Sequence, residues 1–371
     1  NTKETDFPFE KGSGIKNKIH VKHERITSSD ITLFCRQLST LLGAGVTILR
    51  SLNIISQQVS SRRLQGIIKD LNKSMEAGLS FHEAIAKHPR VFSELWVNLI
   101  ESGEASGNLA VVLSRLATYL EKTAAFRGKI VSALVYPAIL LFAGLAALFF
   151  MTFKIIPTFV EVFKGFNLEL PYLTQVLVDV SAFLRSWGAG IIVVIIIAFI
   201  SFKKYIAGNK GAKKRYQEFL LKLPLFGDFF RTLSIERFTS EMSTLVESGV
   251  PILYSLEISE RSVNNLILGE VIHNIKEAVC AGKPLGQSLN ASNFFDPMVV
   301  QMVSIGEEIG ELPDMFKKLN AFYQDYLDTF LTRFTAMFEP AMLIFMGLVI
   351  GIMVIGLFLP IFKIASMGSS M

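Results

Sequence analysis

The sequence feature that most constrains the fold is an internal duplication. The stretch Ser39–Leu52 returns 204 residues later as Ser243–Leu256, and nine of the 14 positions are identical. The correspondence continues along the chain, where Gly103–Leu109 and Gly306–Leu312 both read Gly-Glu-x-x-Gly-x-Leu. Because self-similarity at a nearly constant offset is typical of repeated structural units, the sequence predicts two copies of one fold.

Each copy leads into a long apolar segment. Val131–Phe153 and Pro340–Phe362 each contain 23 residues without a charged side chain, and a helix needs about 20 to cross a bilayer. A shorter apolar run, Trp187–Phe202, has 16 residues, and the lysines that follow it can extend toward the headgroups. Only 19% of all residues are charged and 51% are hydrophobic, and the apolar residues are concentrated in these runs. The sequence therefore predicts three membrane spans.

Basic residues predict how the spans are oriented. The segment Lys203–Arg231 carries eight lysines and arginines against two acids, whereas Pro157–Ser186 carries two against three. Because lysine and arginine accumulate on the cytoplasmic side of membrane proteins, we expect both copies and the N-terminus inside. The predicted domains are a mobile polar arm (1–26), a first cytoplasmic helical bundle (27–127), a first transmembrane helix (128–156), a periplasmic loop (157–184), a second transmembrane helix (185–206), a second cytoplasmic helical bundle (207–333), a third transmembrane helix (334–362) and a periplasmic tail (363–371).

Helical signals fill both polar blocks. Apolar residues such as Ile31, Phe34 and Leu38 recur at the spacing of one helix face, and no stretch alternates with a period of two. We expect six helices in each copy, the last of which continues into a membrane span. The fold class predicted is an all-α membrane protein with two homologous six-helix bundles and three transmembrane helices. The expected helix caps are Ser29, Thr47, Ser60, Ser80, Ser93, Asn108 and Asp296.

The repeated Gly-Glu-x-x-Gly-x-Leu motif is the candidate functional surface. A glycine on each side of a carboxylate suggests a tight turn between two helices, with the carboxylate accepting backbone N–H groups at the start of the next helix. Since both copies need the same turn, the duplication favours an architectural role, and a contact with a partner is the alternative. The six candidate residues are Gly103, Glu104, Gly107, Gly306, Glu307 and Gly310.

The sequence contains none of the common catalytic or cofactor motifs. It has neither a phosphate-binding Gly-x-x-x-x-Gly-Lys-Ser/Thr loop nor a glycine-rich dinucleotide fingerprint, and its five histidines are not spaced as metal ligands. Cys35 and Cys280 do not correspond to each other in the two copies, and we interpret both as small buried hydrophobic residues. We therefore expect no enzymatic activity, no cofactor, no metal ion and no nucleic-acid partner.

The two copies differ at their surface positions. Arg62 and Arg63 of the first copy align with the region 264–267 of the second, and Arg50 aligns with Tyr254. Two surfaces that served one identical contact would be expected to keep their polar residues alike. We therefore predict that the first copy carries the main contact with an acidic or anionic partner, and that Arg62 and Arg63 contribute to it.

Several motifs together indicate a family. They are, in chain order, Phe34–Val46, Glu101–Leu109, Tyr136-Pro137, Pro157–Phe163, Leu170–Thr174, Leu223–Gly227, Arg237-Phe238 and Gly306–Leu312. In these motifs, and over residues 30 to 365, the chain resembles the type II secretion F family. Members of that family are the inner-membrane platform proteins of type II secretion systems, type IV pili and DNA-uptake competence pili.

The resemblance implies a scaffold without enzymatic activity. Such a protein is a homo-oligomer in the bacterial inner membrane, in contact with membrane lipids. It stands between a cytoplasmic hexameric ATPase and pilin or pseudopilin subunits, together with other inner-membrane assembly proteins. A membrane transporter or channel component is the alternative from another class, and it is weakened because no charged residue lies in the middle of a predicted span.

Overall fold

The computed structural model describes residues 23–165, 171–224, 226–263 and 265–368. Within these ranges the chain is helical and forms no β-strand, apart from one isolated bridge between His23 and Ser61. The first copy consists of α1 (Ser28–Gly43), α2 (Ile48–Gln58), α3 (Arg62–Glu76), α4 (Phe81–Ala86), α5 (Glu94–Ala105) and α6 (Leu109–Phe150).

A connecting region and the second copy complete the fold. The connecting region comprises a π-helical turn (Met151–Ile155), α7 (Ile156–Gly165), α8 (Tyr172–Gly208) and α9 (Lys210–Lys222). The second copy consists of α10 (Phe226–Glu247), α11 (Ile252–Ser262), α12 (Leu266–Cys280), α13 (Leu285–Ala291), α14 (Pro297–Ile309) and α15 (Leu312–Gly368).

The helices of the two copies correspond one to one, from α1 with α10 to α6 with α15. The prediction of six helices per copy is therefore confirmed. The turns correspond as well, because a glycine with φ between +69° and +97° follows the first, third and fifth helix of each copy. This left-handed conformation strains other residues, and it ends each of these helices sharply. The three pairs are Gly45 and Gly249, Gly78 and Gly282, and Gly107 and Gly310.

Two helices begin at other caps than those predicted. Thr27, and not Ser29, caps α1, because its Oγ1 accepts the N–H of Asp30 at 3.2 Å while the Asp30 carboxylate accepts the N–H of Thr27 at 2.8 Å. This reciprocal arrangement satisfies two backbone donors at once, which a cap at Ser29 would not do. Similarly, Ser61 rather than Ser60 caps α3.

The remaining predicted caps divide into two groups. Ser80 caps α4 as predicted, and Glu83 completes a second reciprocal pair with it. Asp296 stands before α14, but its side chain bonds no N–H of that helix and instead accepts the hydroxyl proton of Tyr323 at 3.1 Å. Three further residues hold the cap position without a side-chain hydrogen bond, and these are Thr47, Ser93 and Asn108.

An aromatic cluster lies at the centre of each bundle. In the first bundle the rings of Phe34, Phe92 and Trp96 have centroids between 5.1 and 6.3 Å apart. In the second bundle Phe238 takes the place of Phe34 and Phe295 that of Phe92, with centroids 5.2 Å apart. All five side chains are buried. Each contributes about 1.5–3 kcal/mol through burial alone.

Among the described residues, three helical segments are long and apolar enough to cross a membrane, which confirms the predicted number. They are Leu109–Val162, Gly190–Gly208 and Leu312–Leu359. The first and third coincide over most of their length with the final helices of the two copies, α6 and α15, which run from their bundles into the apolar segments without interruption. The last helix of each copy is thus both a bundle helix and a membrane helix.

The segment 157–184, which we predicted as a loop, is largely helical. The π turn and α7 extend α6 to Gly165, and α8 begins at Tyr172. Pro157 does not end the helix, because the wide π turn directly before it relieves the clash between a proline ring and the preceding turn. Helix α15 also continues past 363, to Gly368, so most of the predicted tail is helical as well.

Candidate functional site

The first glycine of each repeated motif packs two helices together. Gly103 lies within α5 and Gly306 within α14, so neither belongs to the predicted turn. A Cβ atom at Gly103 would lie 3.1 Å from Cβ of Val112 in α6, and one at Gly306 would lie 2.7 Å from Cγ of Met315 in α15. These positions therefore require glycine because the following helix approaches closely. Gly107 and Gly310 lie in the turns between those helices, where φ is +69° and +77°.

The glutamate of each motif caps a different helix from the one predicted. Glu104 accepts the N–H groups of Phe81 and His82 at 2.7 and 3.0 Å, at the start of α4. Glu307 accepts the two equivalent N–H groups at the start of α13, at 2.8 and 3.1 Å. A carboxylate is stabilised there because the first N–H groups of a helix lack partners and carry partial positive charge. The capped helix precedes the motif in the chain, and tertiary packing brings the two together.

The repeated motif therefore connects the fourth, fifth and sixth helices of each copy. Both glutamates are half-buried, and the glycines inside the helices are buried. In the first copy Nδ1 of His82 also lies 2.6 Å from Glu104, whereas the second copy has Gly286 at that position. This geometry supports the architectural interpretation of the motif over a partner contact.

Arg62 and Arg63 begin α3 with exposed side chains. In the part of the chain that the structure describes, neither takes part in an ion pair. Their counterparts by alignment are Leu266 and Ile267, which are half-buried at the start of α12. Helix α9 packs against α12 there, and Gln217 of α9 accepts the N–H of Leu266 at 2.9 Å. The surface that is open in the first copy is covered in the second.

The two bundles pack on each other through unlike surfaces. Helix α11 of the second copy lies against α5 of the first. The Tyr254 hydroxyl donates to Oδ1 of Asn98 at 2.6 Å, and Arg261 lies 3.8 Å from the carboxylate of Glu94. These contacts join the two copies into one continuous assembly of helices.

The second copy also contributes apolar side chains to the core of the first. Leu245, Val250 and Ile258 are 0%, 3% and 1% exposed, and they pack in the core of the first bundle. Burial of three such side chains stabilises the contact by several kcal/mol, on the order of 1.5–3 kcal/mol for each.

A cavity of about 950 Å³ lies between the copies, where α6 and α15 approach the membrane. Its walls are mainly apolar and aromatic, and they include Phe126, Phe229 and Phe330. Two carboxylates, Glu236 and Glu241, also line it, and both side chains are buried. The structure thus places two acids in the apolar interior between the copies.

Sequence reasoning missed these two acids. Glu236 accepts from Nε2 of Gln324 at 3.0 Å, and Glu241 accepts from the Ser262 hydroxyl. Burial raises the pKa of both carboxyls, that of Glu241 to about 7, because desolvation disfavours the charged form. One signal was present in the duplication, since uncharged residues, Thr32 and Gln37, stand at the aligned positions.

The cysteines differ from each other in burial. Cys35 is buried in the first bundle, and desolvation raises the pKa of its thiol far above the usual range. Cys280 is exposed at the end of α12, which contradicts its interpretation as a buried residue. It lies in the last turn of the helix, where the neighbouring Val279 packs against the core and Cys280 does not. Across the described ranges, no group of three or more His, Cys, Asp or Glu side chains is placed to hold a metal ion.

Known proteins are similar to this chain over most of its length. The family described as type II secretion system (T2SS), protein F, matches residues 34–157 and 238–360, once in each copy. The type IV pilus assembly protein PilC of Thermus thermophilus is 38% identical over 90% of this chain and 82% of its own length. The protein of the same name from Pseudomonas aeruginosa is 32% identical over 92% of both chains. The type II secretion system protein F of Pseudomonas aeruginosa is 34% identical, over 91% of this chain and 84% of its own length.

Proposed function

This chain belongs to the type II secretion system protein F family, and we propose that it is the inner-membrane platform of a type IV pilus or type II secretion machine. The observation that carries the proposal is the continuity of α6 and α15, which connect two homologous bundles directly to membrane spans. Such a chain is built to transmit movement between a soluble partner and the membrane. Its three apolar helices and its relatives make it a multi-pass membrane protein.

The partners proposed are a cytoplasmic hexameric ATPase on one side and pilin or pseudopilin subunits on the other. The names of the relatives refer to pilus assembly and to type II secretion, which supports a role among the components of such a machine. The same names favour the platform over a transporter or channel. Uptake of a specific solute by vesicles that contain this chain alone would contradict the proposal.

The proposed role is structural rather than enzymatic. The platform would couple ATP hydrolysis by its partner to the insertion or extraction of helical subunits. The purified chain should therefore hydrolyse no ATP or GTP, and nucleotide turnover that persists through purification of the chain would contradict this role.

The proposed orientation places both bundles in the cytoplasm. It rests on the excess of lysine and arginine in Lys203–Arg231. In a chain with Cys35→Ala and Cys280→Ser, single substitutions Tyr172→Cys and Gly208→Cys mark the two ends of α8. On intact spheroplasts an impermeant maleimide should label only the Tyr172→Cys chain. Labelling of both chains, or only of the Gly208→Cys chain, would refute the orientation.

The proposed ATPase contact lies at the start of α3. Arg62 and Arg63 are exposed there, and a cluster of two guanidinium groups favours an acidic partner surface. The double variant Arg62→Glu/Arg63→Glu should weaken recruitment of the ATPase to membranes at least about tenfold, because it reverses both charges.

A matched control lies on the same helix. Lys69 and Lys73 are also exposed on α3, and the double variant Lys69→Glu/Lys73→Glu changes the net charge by the same amount. It should retain most of the recruitment, and both variants should keep the helical circular-dichroism signal. Equal losses in the two variants would mean that net charge, and not this site, attracts the ATPase. Normal recruitment by Arg62→Glu/Arg63→Glu would exclude the site.

A further inference from the structure

The contact between the two copies leaves two complementary surfaces uncovered. Helix α11 packs on α5, and the duplication makes α2 the counterpart of α11 and α14 the counterpart of α5. Within the described residues, however, α2 packs against α1 and α3, and α14 packs against α13 and α15. When two equivalent units pack through unlike surfaces, one unit keeps its first surface free and the other keeps its second surface free. The chain therefore presents a free α2 surface and a free α14 surface.

Burial marks the free surface on α2 and the turn before it. Three apolar residues of the second copy are at most 3% exposed because they pack into the first copy. Their counterparts in the first copy are only half-buried, and these are Leu41, Val46 and Ile54. The same apolar positions are thus present in both copies, but in the first copy the described chain covers them only in part.

An exposed apolar stripe marks the free surface on α14. Met298, Gln301, Ile305 and Ile309 lie at the spacing of one helix face and are all exposed. Ile305 and Ile309 are 52% and 60% exposed, although α14 belongs to a bundle outside the predicted spans. A stripe of this kind on a soluble helix is typical of a protein contact.

The two free surfaces are also complementary in charge. Arg50 is the one charged residue of α2, and it is exposed. The charged residues of α14 are Glu307, which caps α13, and Glu308, which is exposed. A contact between the surfaces would bring opposite charges together, which favours this pairing over the contact of either surface with itself.

The relative direction of the two membrane helices determines how such a contact can be repeated from one chain to the next. Lys129 pairs with Asp328 at 2.5 Å, and Gly144 closely approaches Met346, so equivalent heights of α6 and α15 face each other. The two helices therefore run parallel, and the copies are related by a rotation about an axis along the membrane normal. A second chain in the same membrane keeps this direction, so a repeat of the internal contact can close into a ring.

We propose that the α2 surface of one chain packs on the α14 surface of a second copy, in the way that α11 packs on α5 within one chain. The protein then forms a ring in which contacts within chains alternate with contacts between chains. The proposal goes beyond the platform function, and it does not depend on which partners the platform binds.

Cysteine cross-linking in membranes tests the proposal. The side chains of Tyr254 and Asn98 touch at the internal contact, and their counterparts are Arg50 and Gln301. A full-length chain with Arg50→Cys and a differently tagged chain with Gln301→Cys are expressed together, both with Cys35→Ala and Cys280→Ser. A flexible bis-maleimide cross-linker should produce a covalently linked pair that carries both tags, whereas either variant expressed alone should give no linked pair.

Two controls make each result decisive. The double variant Asn98→Cys/Tyr254→Cys should be linked within one chain by the same reagent, which shows that the reagent spans this contact. Lys69→Cys, at an exposed position of α3, should not link to Gln301→Cys. A linked pair from Arg50→Cys alone would indicate a two-fold contact and overturn the proposal. No product from the mixed chains, with the internal control linked, would overturn it as well.

A second measurement does not depend on cysteine chemistry. Ile305→Asp places a charge in the middle of the α14 stripe and should reduce the assembly in detergent to single chains, as measured by light scattering. Asn274→Asp, which adds the same charge at an exposed position of α12, should leave the size unchanged. Both variants should keep their helical circular-dichroism signal. An unchanged assembly size for a folded Ile305→Asp chain would contradict the proposed contact.

Discussion

The first and second copies share an interior but differ at the start of their third helix. In the first copy α3 begins with exposed Arg62 and Arg63, whereas in the second copy α12 begins beneath α9. An ion pair between Lys214 and Glu270, at 2.7 Å, also joins α9 to α12. The two copies thus keep the interior that each bundle needs to fold, whereas the surface at the start of the third helix is open in the first copy and covered in the second. The difference separates residues that maintain the fold from residues that are free to bind partners.

The largest effects should be equal in the two copies. Phe34→Ala and Phe238→Ala each empty the aromatic cluster of one bundle, and each should destabilise its own bundle by about 3–5 kcal/mol. Hydrogen exchange measured on the full chain should show lost protection in α1 for Phe34→Ala and in α10 for Phe238→Ala. A loss confined to the same bundle in both variants would show that the interiors are not equivalent.

The next effect should occur in the second copy alone. Burial raises the pKa of Glu241 to about 7, so the folded state keeps a proton that the unfolded state releases near its ordinary value of 4.5. Stability should therefore be highest below about pH 4.5 and should fall by about 2–3 kcal/mol as the pH rises to 7 and above.

Glu241→Gln should remove most of this pH dependence, because glutamine stays neutral throughout. Thermal unfolding of the full chain at pH 5, 6, 7 and 8 measures the effect. Gln37→Glu, which introduces an acid at the aligned but only half-buried position of the first copy, is the matched control and should add little pH dependence, because a carboxylate there stays in contact with water. An unchanged pH profile for Glu241→Gln would mean that this carboxylate is solvated.

Intermediate effects should come from the repeated glutamates. Glu104→Gln and Glu307→Gln each weaken a two-bond cap, and each should cost about 1–2 kcal/mol. The loss should be larger for Glu104→Gln because His82 also loses its partner. Exchange rates of the first amides of α4 and α13 report each cap separately. Unchanged rates in both variants would show that the caps do not hold these helices.

The smallest effect should appear where the copies differ. Arg62→Ala should change stability by less than about 0.5 kcal/mol, because the exposed guanidinium makes no ion pair among the described residues. Leu266→Ala should cost about 1 kcal/mol because α9 covers that position. Chemical unfolding of the full chain measures both. A loss at Arg62 that matches the loss at Leu266 would remove the distinction between an open and a covered surface.

Repetition made most of the fold predictable. Patterns such as Ser39–Leu52 set the register between the copies, and helical periodicity and apolar length gave six helices per copy and three spans. Local capping was predictable to within one or two residues, as Ser61 in place of Ser60 shows. The helical content of 157–184 was not predicted, because a π turn adapts the chain to Pro157 and leaves no mark in the periodicity.

Long-range contacts account for what the sequence did not reveal. The motif at Glu104 could be recognised, but its bond to α4 joins residues more than 20 positions apart and depends on how the bundle closes. Glu236 and Glu241 lie on a helix that is covered by both bundles. The usual inference that a charged residue is exposed to solvent therefore fails at these two positions. Arg62 and Arg63 remain predicted ATPase contacts, which the fold makes accessible but does not assign.

The continuity of α6 and α15 has a mechanical consequence. The helix that starts in the first bundle at Leu109 extends to Val162, and α15 has 57 residues. At 1.5 Å per residue these are rods about 80 and 85 Å long. Because each helix joins its bundle to a span without a break, tilting a bundle by a few degrees would displace the far end of its helix by several ångströms. A movement of either bundle would thereby be carried along its final helix into the membrane span.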